Sequence, residues 1–155
     1  MASDRLKTAP RTGIPQIVSC GALDIVNFYA MNTVPQQYKN SNLHKCNPTV
    51  TLMRTSAENC KVIGKQIVEK LNESTVPVLL YFPLKGVSMI DKKGQPFYDP
   101  EGNNFLFKAL EDHSLQHVKI KKINYHINDL EFAIEFAESL LKLLSHSSRS
   151  DLKHN

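Results

Sequence analysis

The sequence predicts an α/β fold with a mainly parallel sheet and flanking helices, an incomplete doubly wound (Rossmann-like) domain. The first observation is that short apolar runs alternate with longer amphipathic segments, the order that builds parallel sheets. The second is size: 155 residues, 41% of them hydrophobic, suit one domain with a real core. The third is the lack of internal repeats or low-complexity runs, which excludes repeat architectures.

The first half of the chain contains short candidate strands. A strand is predicted at 14–18, followed by a turn at 19–21 and the start of a helix at 22–29. The runs 43–46 and 50–53 each fit a strand, an edge or irregular structure. The order of the predicted elements is therefore better defined after residue 55 than before it.

Two further strands are predicted in the second half. The run 76–82 is β-branched and aromatic, carries no charge on either face and indicates a buried strand. The run 118–123 is the last strand. A long loop rich in glycine and proline, 83–102, follows the buried strand.

Capping residues mark three helix starts. A cap side chain accepts a hydrogen bond from the first helical turn, and a proline at the first position fits the helix without loss. The predicted starts are Thr55 with Glu58, Asp99 with Pro100, and Asn128 with Glu131. In the last helix, the predicted buried stripe is Leu130, Ala133, Ile134, Ala137, Leu141 and Leu144.

The predicted ordered body spans 13–144. Residues 1–12 and 145–155 lack apolar periodicity and are expected to be a mobile N-terminal segment and a disordered tail. These ends carry five cations and two anions, so the net charge of +4 falls to +1 for the body. A near-neutral body lacks the basic stripe that neutralises several phosphates, and we expect no nucleic-acid partner.

A cytoplasmic location is expected, because no run is long and apolar enough to span a membrane or act as a signal peptide.

Three cysteines without paired spacing predict reduced thiols and no zinc site. Cys20 follows a strand as a nucleophile would, but a buried, inert thiol is the favoured interpretation. Neither phosphate-loop signature occurs, and the histidines lack metal-ligand spacing.

Polar residues follow the predicted strands at their carboxyl ends, where open α/β sheets bind ligands. The exits are 19–24, 54–55, 85–91 and 125–129. Parallel strands would gather them at one sheet edge, bringing an arginine, a lysine, a histidine and several carboxylates together. The exits therefore form the candidate site.

Each candidate has a structural alternative. Asn128 and Asp129 are favoured as helix caps, and Asp24 and Asn27 fit ligand binding and local backbone bonding equally well. Arg54 is the only arginine between 13 and 144. Arg54 stands at a helix start, where an anion would bind. A structural ion pair between Arg54 and Asp24 or Asp91 would give the same sequence pattern.

His126 precedes a capped helix, a common position for a general base. A buried histidine bonded to backbone is an equally good interpretation. If it is an acid or base, Arg54 would be the anion clamp beside it.

Six motifs in one order resemble a single family, the tomato mosaic virus resistance protein-like ATP-binding family, also described as an uncharacterised family of bacteria, fungi and plants. The resemblance covers about 13–144. The motifs are 13–19 (GIPQIVS), 21–28 (GALDIVNF), 50–55 (VTLMRT), 86–88 (GVS), 94–101 (GQPFYDPE) and 126–129 (HIND).

The resemblance implies the latter part of a two-domain α/β protein. ATP is associated with the family's first domain, which this chain lacks, so no ATP contact is assigned and no cofactor is expected here. The motif residues that the resemblance leads us to expect at a ligand are Asp24, Asn27, Arg54, Thr55, Ser88, Asp91, Asn128 and Asp129. His126 is the candidate catalytic residue.

The leading hypothesis is a domain that binds a small, anionic molecule. One alternative is an enzyme acting on a small anionic metabolite with His126 as acid or base. The other is a protein-interaction module, for which self-association or docking to another chain is expected because a truncated domain leaves apolar surface open.

Overall fold

The computed structural model describes residues 4–151, whose strands form two separate three-stranded sheets. The α/β class is confirmed. In chain order the elements are α1 (Thr8–Thr12), β1 (Gln16–Ser19), β2 (Ile25–Phe28), β3 (Leu43–Asn47), β4 (Val50–Arg54), α2 (Ala57–Leu71), β5 (Val78–Pro83), α3 (Pro100–His113), β6 (Val118–Ile123) and α4 (Leu130–Asp151).

The first sheet is parallel, with β5 between β1 and β6. Gln16 pairs with Val78, and Val78 pairs with Val118, so the three strands start level with one another. The central strand is almost wholly buried, including Leu80 and Tyr81. This burial on both faces explains the uncharged run from which the strand was predicted.

The second sheet is antiparallel, with β4 between β2 and β3. The helix start predicted at 22–29 is wrong: this segment turns at Ala22, which has φ of +54°, and then forms β2. Its branched and aromatic residues pair with β4, Phe28 opposite Thr51. The runs whose state was left open, 43–46 and 50–53, are both strands.

Helices α2 and α3 cover one face of the parallel sheet. Their apolar sides meet the sheet in one core that includes Val68, Leu106 and Phe82. Gly64 permits close contact between the helices, because a Cβ there would be 2.9 Å from Ala109 Cβ. Ser56 rather than Thr55 caps α2, and its Oγ accepts the Asn59 N–H at 3.2 Å.

Helix α4 covers the opposite face. Phe132 and Phe136 pack edge-on against Tyr81, whose hydroxyl donates to Ser139 Oγ at 2.6 Å. The buried stripe predicted for this helix is wrong, because all six of its residues, from Leu130 to Leu144, are exposed. The aromatic face of the same helix packs on the sheet instead, since aromatic rings bury more apolar area.

Both ends of the chain differ from prediction within the described residues. Residues 8–12 form α1, Pro10 is buried, and Leu6 packs against the core, which anchors the predicted mobile segment. The backbone of α4 continues to Asp151, so the tail predicted as disordered from 145 is helical to that point. Residues 1–3 and 152–155 lie outside the described part.

Candidate functional site

Buried polar side chains meet where β4 ends and α3 begins. The Arg54 guanidinium donates from Nη2 to Asn103 Oδ1 at 2.7 Å and to the Asp99 carbonyl at 3.3 Å. Asn103 Nδ2 donates in turn to Asp91 Oδ2 at 2.6 Å. Asn103 therefore joins a buried cation to a buried carboxylate and gives each of them a hydrogen-bond partner in a site with little access to water.

The Asp91 carboxylate organises the loop after β5. Its Oδ2 also accepts the Val87 N–H at 2.9 Å, and its Oδ1 accepts the Asp99 N–H at 3.3 Å. Asp99 then caps α3 as predicted, because its Oδ1 accepts the Gly102 N–H at 2.8 Å. These bonds link the loop to the start of α3.

Asp24 is the second buried carboxylate of the cluster. Its Oδ2 accepts the Ser88 hydroxyl at 2.7 Å. Burial raises the pKa of Asp24, while the Ser88 bond and the positive charge of Arg54 oppose this rise. Thr55 borders the same region, and its backbone N–H donates a hydrogen bond to the Asp24 carbonyl at 2.8 Å.

His126 is bonded to backbone through both ring nitrogens. Nε2 lies 2.9 Å from the Ser88 carbonyl, and Nδ1 accepts the Asn128 N–H at 3.1 Å. A carbonyl only accepts, so these contacts assign the proton to Nε2. The His126 N–H donates to Asp129 Oδ2 at 2.8 Å, so the contacts favour the structural interpretation of this histidine.

Gly86 lets the loop pack against His126. It has φ of +132°, and a Cβ there would be 1.9 Å from the Asp91 carbonyl oxygen and 2.7 Å from His126 Cδ2. Any other residue would require the loop to move. The glycine therefore keeps the loop close enough for the Ser88 carbonyl to meet the imidazole.

Most of the predicted site residues do come together. Asp24, Arg54, Ser88, Asp91 and His126 are buried in one polar cluster, although β2 and β4 belong to the antiparallel sheet rather than to one parallel edge. Asn128 and Asp129, the two residues predicted as caps of the last helix, instead contact His126, and that helix starts at Leu130. Asn27 lies exposed on β2, outside the contacts that define the cluster.

Three atoms of the cluster are buried without a hydrogen-bond partner among the described residues. They are Nε and Nη1 of Arg54 and Oδ1 of Asp24. Two donors and one acceptor thus remain unsatisfied in the same polar cluster. Such atoms are few in folded proteins and are commonly satisfied by a water or a ligand.

Sequence reasoning missed Asn103. The residue lies in the first turn of α3, where asparagine is a poor helix former, and it is 6% exposed. Its position three residues after a proline was the available signal. For its partner Arg54, a pair with Asp24 or Asp91 was the structural alternative to anion binding, whereas the carboxylate in ion-pair range is that of Asp99, 3.9 Å away.

A small cleft of about 120 Å³ adjoins the cluster at Asn103. Lys85 is the one charged side chain among its lining residues, which are Leu84, Lys85, Gly86, Tyr98, Pro100, Asn103, Asn104 and Phe107. A larger groove of about 430 Å³ runs between α2 and α3, past Val62 and Phe105 and away from the cluster. We therefore take the small cleft as the candidate ligand site.

Cys20 behaves as the inert thiol that was favoured. It is 1% exposed, and burial raises its pKa to about 12. Burial also raises the pKa of Cys60, opposed by Arg54. Residues 4–151 contain no group of three potential metal ligands and no helix long and apolar enough to cross a membrane.

Comparison with known proteins identifies relatives over most of the chain. A UPF0261 protein of Clostridium tetani is 47% identical over 142 residues, 91% of this chain and 35% of that relative. The UPF0261 protein RA0729 of Rhizobium meliloti is 43% identical, over 84% of this chain and 33% of its own length. The ToMV resistance protein Tm-1 of Solanum lycopersicum is 37% identical, over 91% of this chain and 19% of its length.

The chain thus spans about a third of the length of these bacterial relatives. Residues 1–144 match the family described as the uncharacterised protein family (UPF0261) C-terminal domain, so the match includes the N-terminal segment as well as the predicted body. The resemblance predicted from the six motifs is confirmed. This chain belongs to the UPF0261 family and corresponds to its C-terminal domain.

Proposed function

We propose that this domain binds a small anionic molecule, with a carboxylate or phosphate group, in the cleft beside Asn103. One observation carries the proposal: Asn103 lines the cleft while its carboxamide holds the buried Arg54 and Asp91 side chains. The cleft wall is thereby fixed before any ligand arrives, which lowers the entropy cost of binding.

The charges around the cleft favour an anion. Lys85 supplies the positive charge, and the start of α3 adds the partial positive charge of a helix N-terminus. Asn103, Asn104 and Tyr98 offer polar groups beside them. A volume of about 120 Å³ admits one carboxylate or phosphate group, whereas sites for drug-sized ligands span roughly 300–1,000 Å³.

Arg54 acts on the ligand through Asn103. Arg54 is 6% exposed, and the carboxylates of buried Asp24 and partly exposed Asp99 offset its charge. Direct contact with the anion therefore belongs to Lys85, and Arg54 is a positioning residue. An acid–base role for His126 lacks comparable support, because the backbone engages both of its ring nitrogens.

Calorimetric titration with inorganic phosphate and with acetate tests this site, alongside mass spectrometry of small molecules that co-purify with the protein. Lys85→Gln removes a charge-assisted hydrogen bond and should weaken the affinity about tenfold. Lys92→Gln, an exposed lysine in the same loop, is the matched control. Equal affinities for both variants, or no binding of either anion, would refute the proposal.

Arg54→Lys tests the positioning role. It keeps the charge and loses the planar donors, so it should lower affinity and stability together. Arg11→Lys, at an exposed arginine that pairs with Asp4, should change neither. Weaker binding with unchanged stability would instead assign Arg54 to direct ligand contact.

A further inference from the structure

The candidate cleft has a buried inner wall and an exposed rim. Asn103 and Phe107 are 6% and 7% exposed and form the inner wall. Leu84 and Tyr98 also line the cleft but are 47% and 45% exposed, so they form its rim. The inner wall thus offers the polar amide of Asn103, whereas the rim presents two large apolar side chains to solvent. The two parts of the cleft suit different parts of one ligand.

The volume of the cleft limits what can enter it. About 120 Å³ accommodates a single carboxylate or phosphate group, whereas sites that enclose a whole drug-sized ligand span roughly 300–1,000 Å³. An organic anion held at the inner wall must therefore extend outward across the rim. The rim residues Leu84 and Tyr98 then determine which organic group is bound.

Backbone hydrogen bonds hold the rim in place. The Leu84 N–H donates to the Ile123 carbonyl at 2.9 Å, which ties Leu84 to the end of β6. In the loop after β5, the Tyr98 N–H donates to the Gln95 carbonyl at 3.2 Å. A ligand that covers these two side chains does not have to order their backbone first, which lowers the entropy cost of binding.

Lys85 places a positive charge on the same rim. Its ammonium lies 5.9 Å from the centroid of the Tyr125 ring, a cation–π contact that restricts where the charge can be. The carboxylate of Asp99, which follows Tyr98 in the chain, accepts the Gly102 N–H and is not part of the cleft lining. The rim therefore combines one cation with apolar surface, and a ligand that is both anionic and apolar matches this combination.

An aromatic ring suits the rim better than an alkyl chain does. Tyr98 offers a half-exposed ring, and aromatic pairs gain free energy beyond that of the area they bury. A ring is also rigid, so it loses less conformational freedom on binding than a flexible chain. Leu84 adds apolar surface that the same ring can cover.

We propose that the ligand of the cleft is an aromatic anion, an aryl phosphate or aryl carboxylate. Its charged group lies at Lys85 and Asn103, and its ring covers Tyr98 and Leu84. This inference rests on the proposed function, because it names the class of ligand for the same site. The observations that carry it are the small volume of the cleft and the two exposed apolar side chains fixed beside its one cation.

Calorimetric titration with phenyl phosphate and methyl phosphate tests the preference for a ring. The two esters share the charged group and differ in the organic group, so the ratio of their affinities measures the contribution of the rim. Phenyl phosphate should bind to the wild type about tenfold more tightly. Lys85→Gln should weaken the binding of both esters by a similar factor, because it changes only the charged part of the cleft.

Tyr98→Ala should weaken the binding of phenyl phosphate about tenfold and leave that of methyl phosphate unchanged. Tyr98→Phe keeps the ring and should bind both esters as the wild type does. Leu84→Gln tests the same surface independently and should reduce the preference for phenyl phosphate about threefold. Tyr29→Ala, at an 81% exposed tyrosine outside the cleft lining, is the matched control and should change neither affinity.

Equal affinities of the wild type for the two esters, or a preference that Tyr98→Ala leaves intact, would overturn this inference and leave the anion site standing. Binding of neither ester and no binding of inorganic phosphate would refute the anion site itself, and this inference with it. The comparison of the two esters on the wild type does not depend on whether any variant folds.

Discussion

The Arg54 guanidinium meets the Asn103 side-chain oxygen at 2.7 Å and thereby joins the end of β4 to the first turn of α3. The same amide donates to Asp91, so one neutral side chain stands between a buried cation and a buried anion. This contact links the antiparallel sheet to a helix of the parallel layer. The strength of the link determines how firmly the cleft wall is held.

Asn103→Ala should destabilise the domain by about 2–4 kcal/mol, because the buried guanidinium of Arg54 and the buried carboxylate of Asp91 each lose a charge-assisted hydrogen bond. Urea denaturation measures this loss. Asn104→Ala, at the exposed neighbouring position, is the control and should stay within about 0.5 kcal/mol of the wild type. Equal losses for the two variants would contradict a central role for Asn103.

Gly86→Ala should prevent the loop after β5 from closing on His126. The added Cβ would lie 1.9 Å from the Asp91 carbonyl oxygen, and the backbone conformation is itself strained for alanine. We expect a loss of more than about 3 kcal/mol in thermal or urea unfolding.

Gly94→Ala is the matched control, because Gly94 also has a positive φ but no atom lies within 4 Å of the added Cβ. It should cost about 1 kcal/mol of backbone strain alone. A similar cost for the two glycines would show that the contact with His126 and Asp91 is unimportant.

Asp24→Asn should change the pH dependence of stability. Burial raises the pKa of Asp24, so the folded protein holds this proton more tightly than the unfolded chain. Wild-type stability is therefore complete below the ordinary carboxyl pKa and falls as the pH rises through the raised folded value. The variant should gain stability relative to the wild type as the pH rises above the ordinary carboxyl pKa of about 4. A pH-independent difference in urea midpoint would contradict this.

Thiol labelling should separate the three cysteines. Cys46 is exposed and should react rapidly in the folded protein, whereas Cys20 and Cys60 are buried with raised pKa values. Mass spectrometry should detect one label in native buffer and three in denaturant. Fast native labelling of Cys20 would revive its role as a nucleophile.

Much of the fold followed from local pattern. The buried strand at β5 was predictable because a run without charge on either face belongs inside a parallel sheet, and Asp99 with Pro100 gave the start of α3. The segment 22–29 was misassigned because its local apolar pattern suits a helix or a strand. Pairing with β4, a contact distant in sequence, decides between them.

The sequence was enough to predict which residues form the candidate site, but it did not predict which of them are hydrogen-bonded to one another. Strand exits brought Asp24, Arg54, Ser88, Asp91 and His126 into consideration, and they do share one buried cluster. Their partners depend on distances across the fold: 49 residues separate Arg54 from Asn103, and 38 separate His126 from Ser88. No local spacing encodes such contacts.

The sequence by itself determined that α4 is an amphipathic helix, because apolar residues recur at helical spacing throughout it. It did not determine which of two apolar faces is buried. The tertiary structure decided this: Tyr81 on the central strand presents its ring to Phe132 and Phe136, so the aromatic face turns inward and Leu130, Ile134 and Leu141 turn outward. Helical periodicity fixes the spacing of a face, whereas only packing against the sheet selects it.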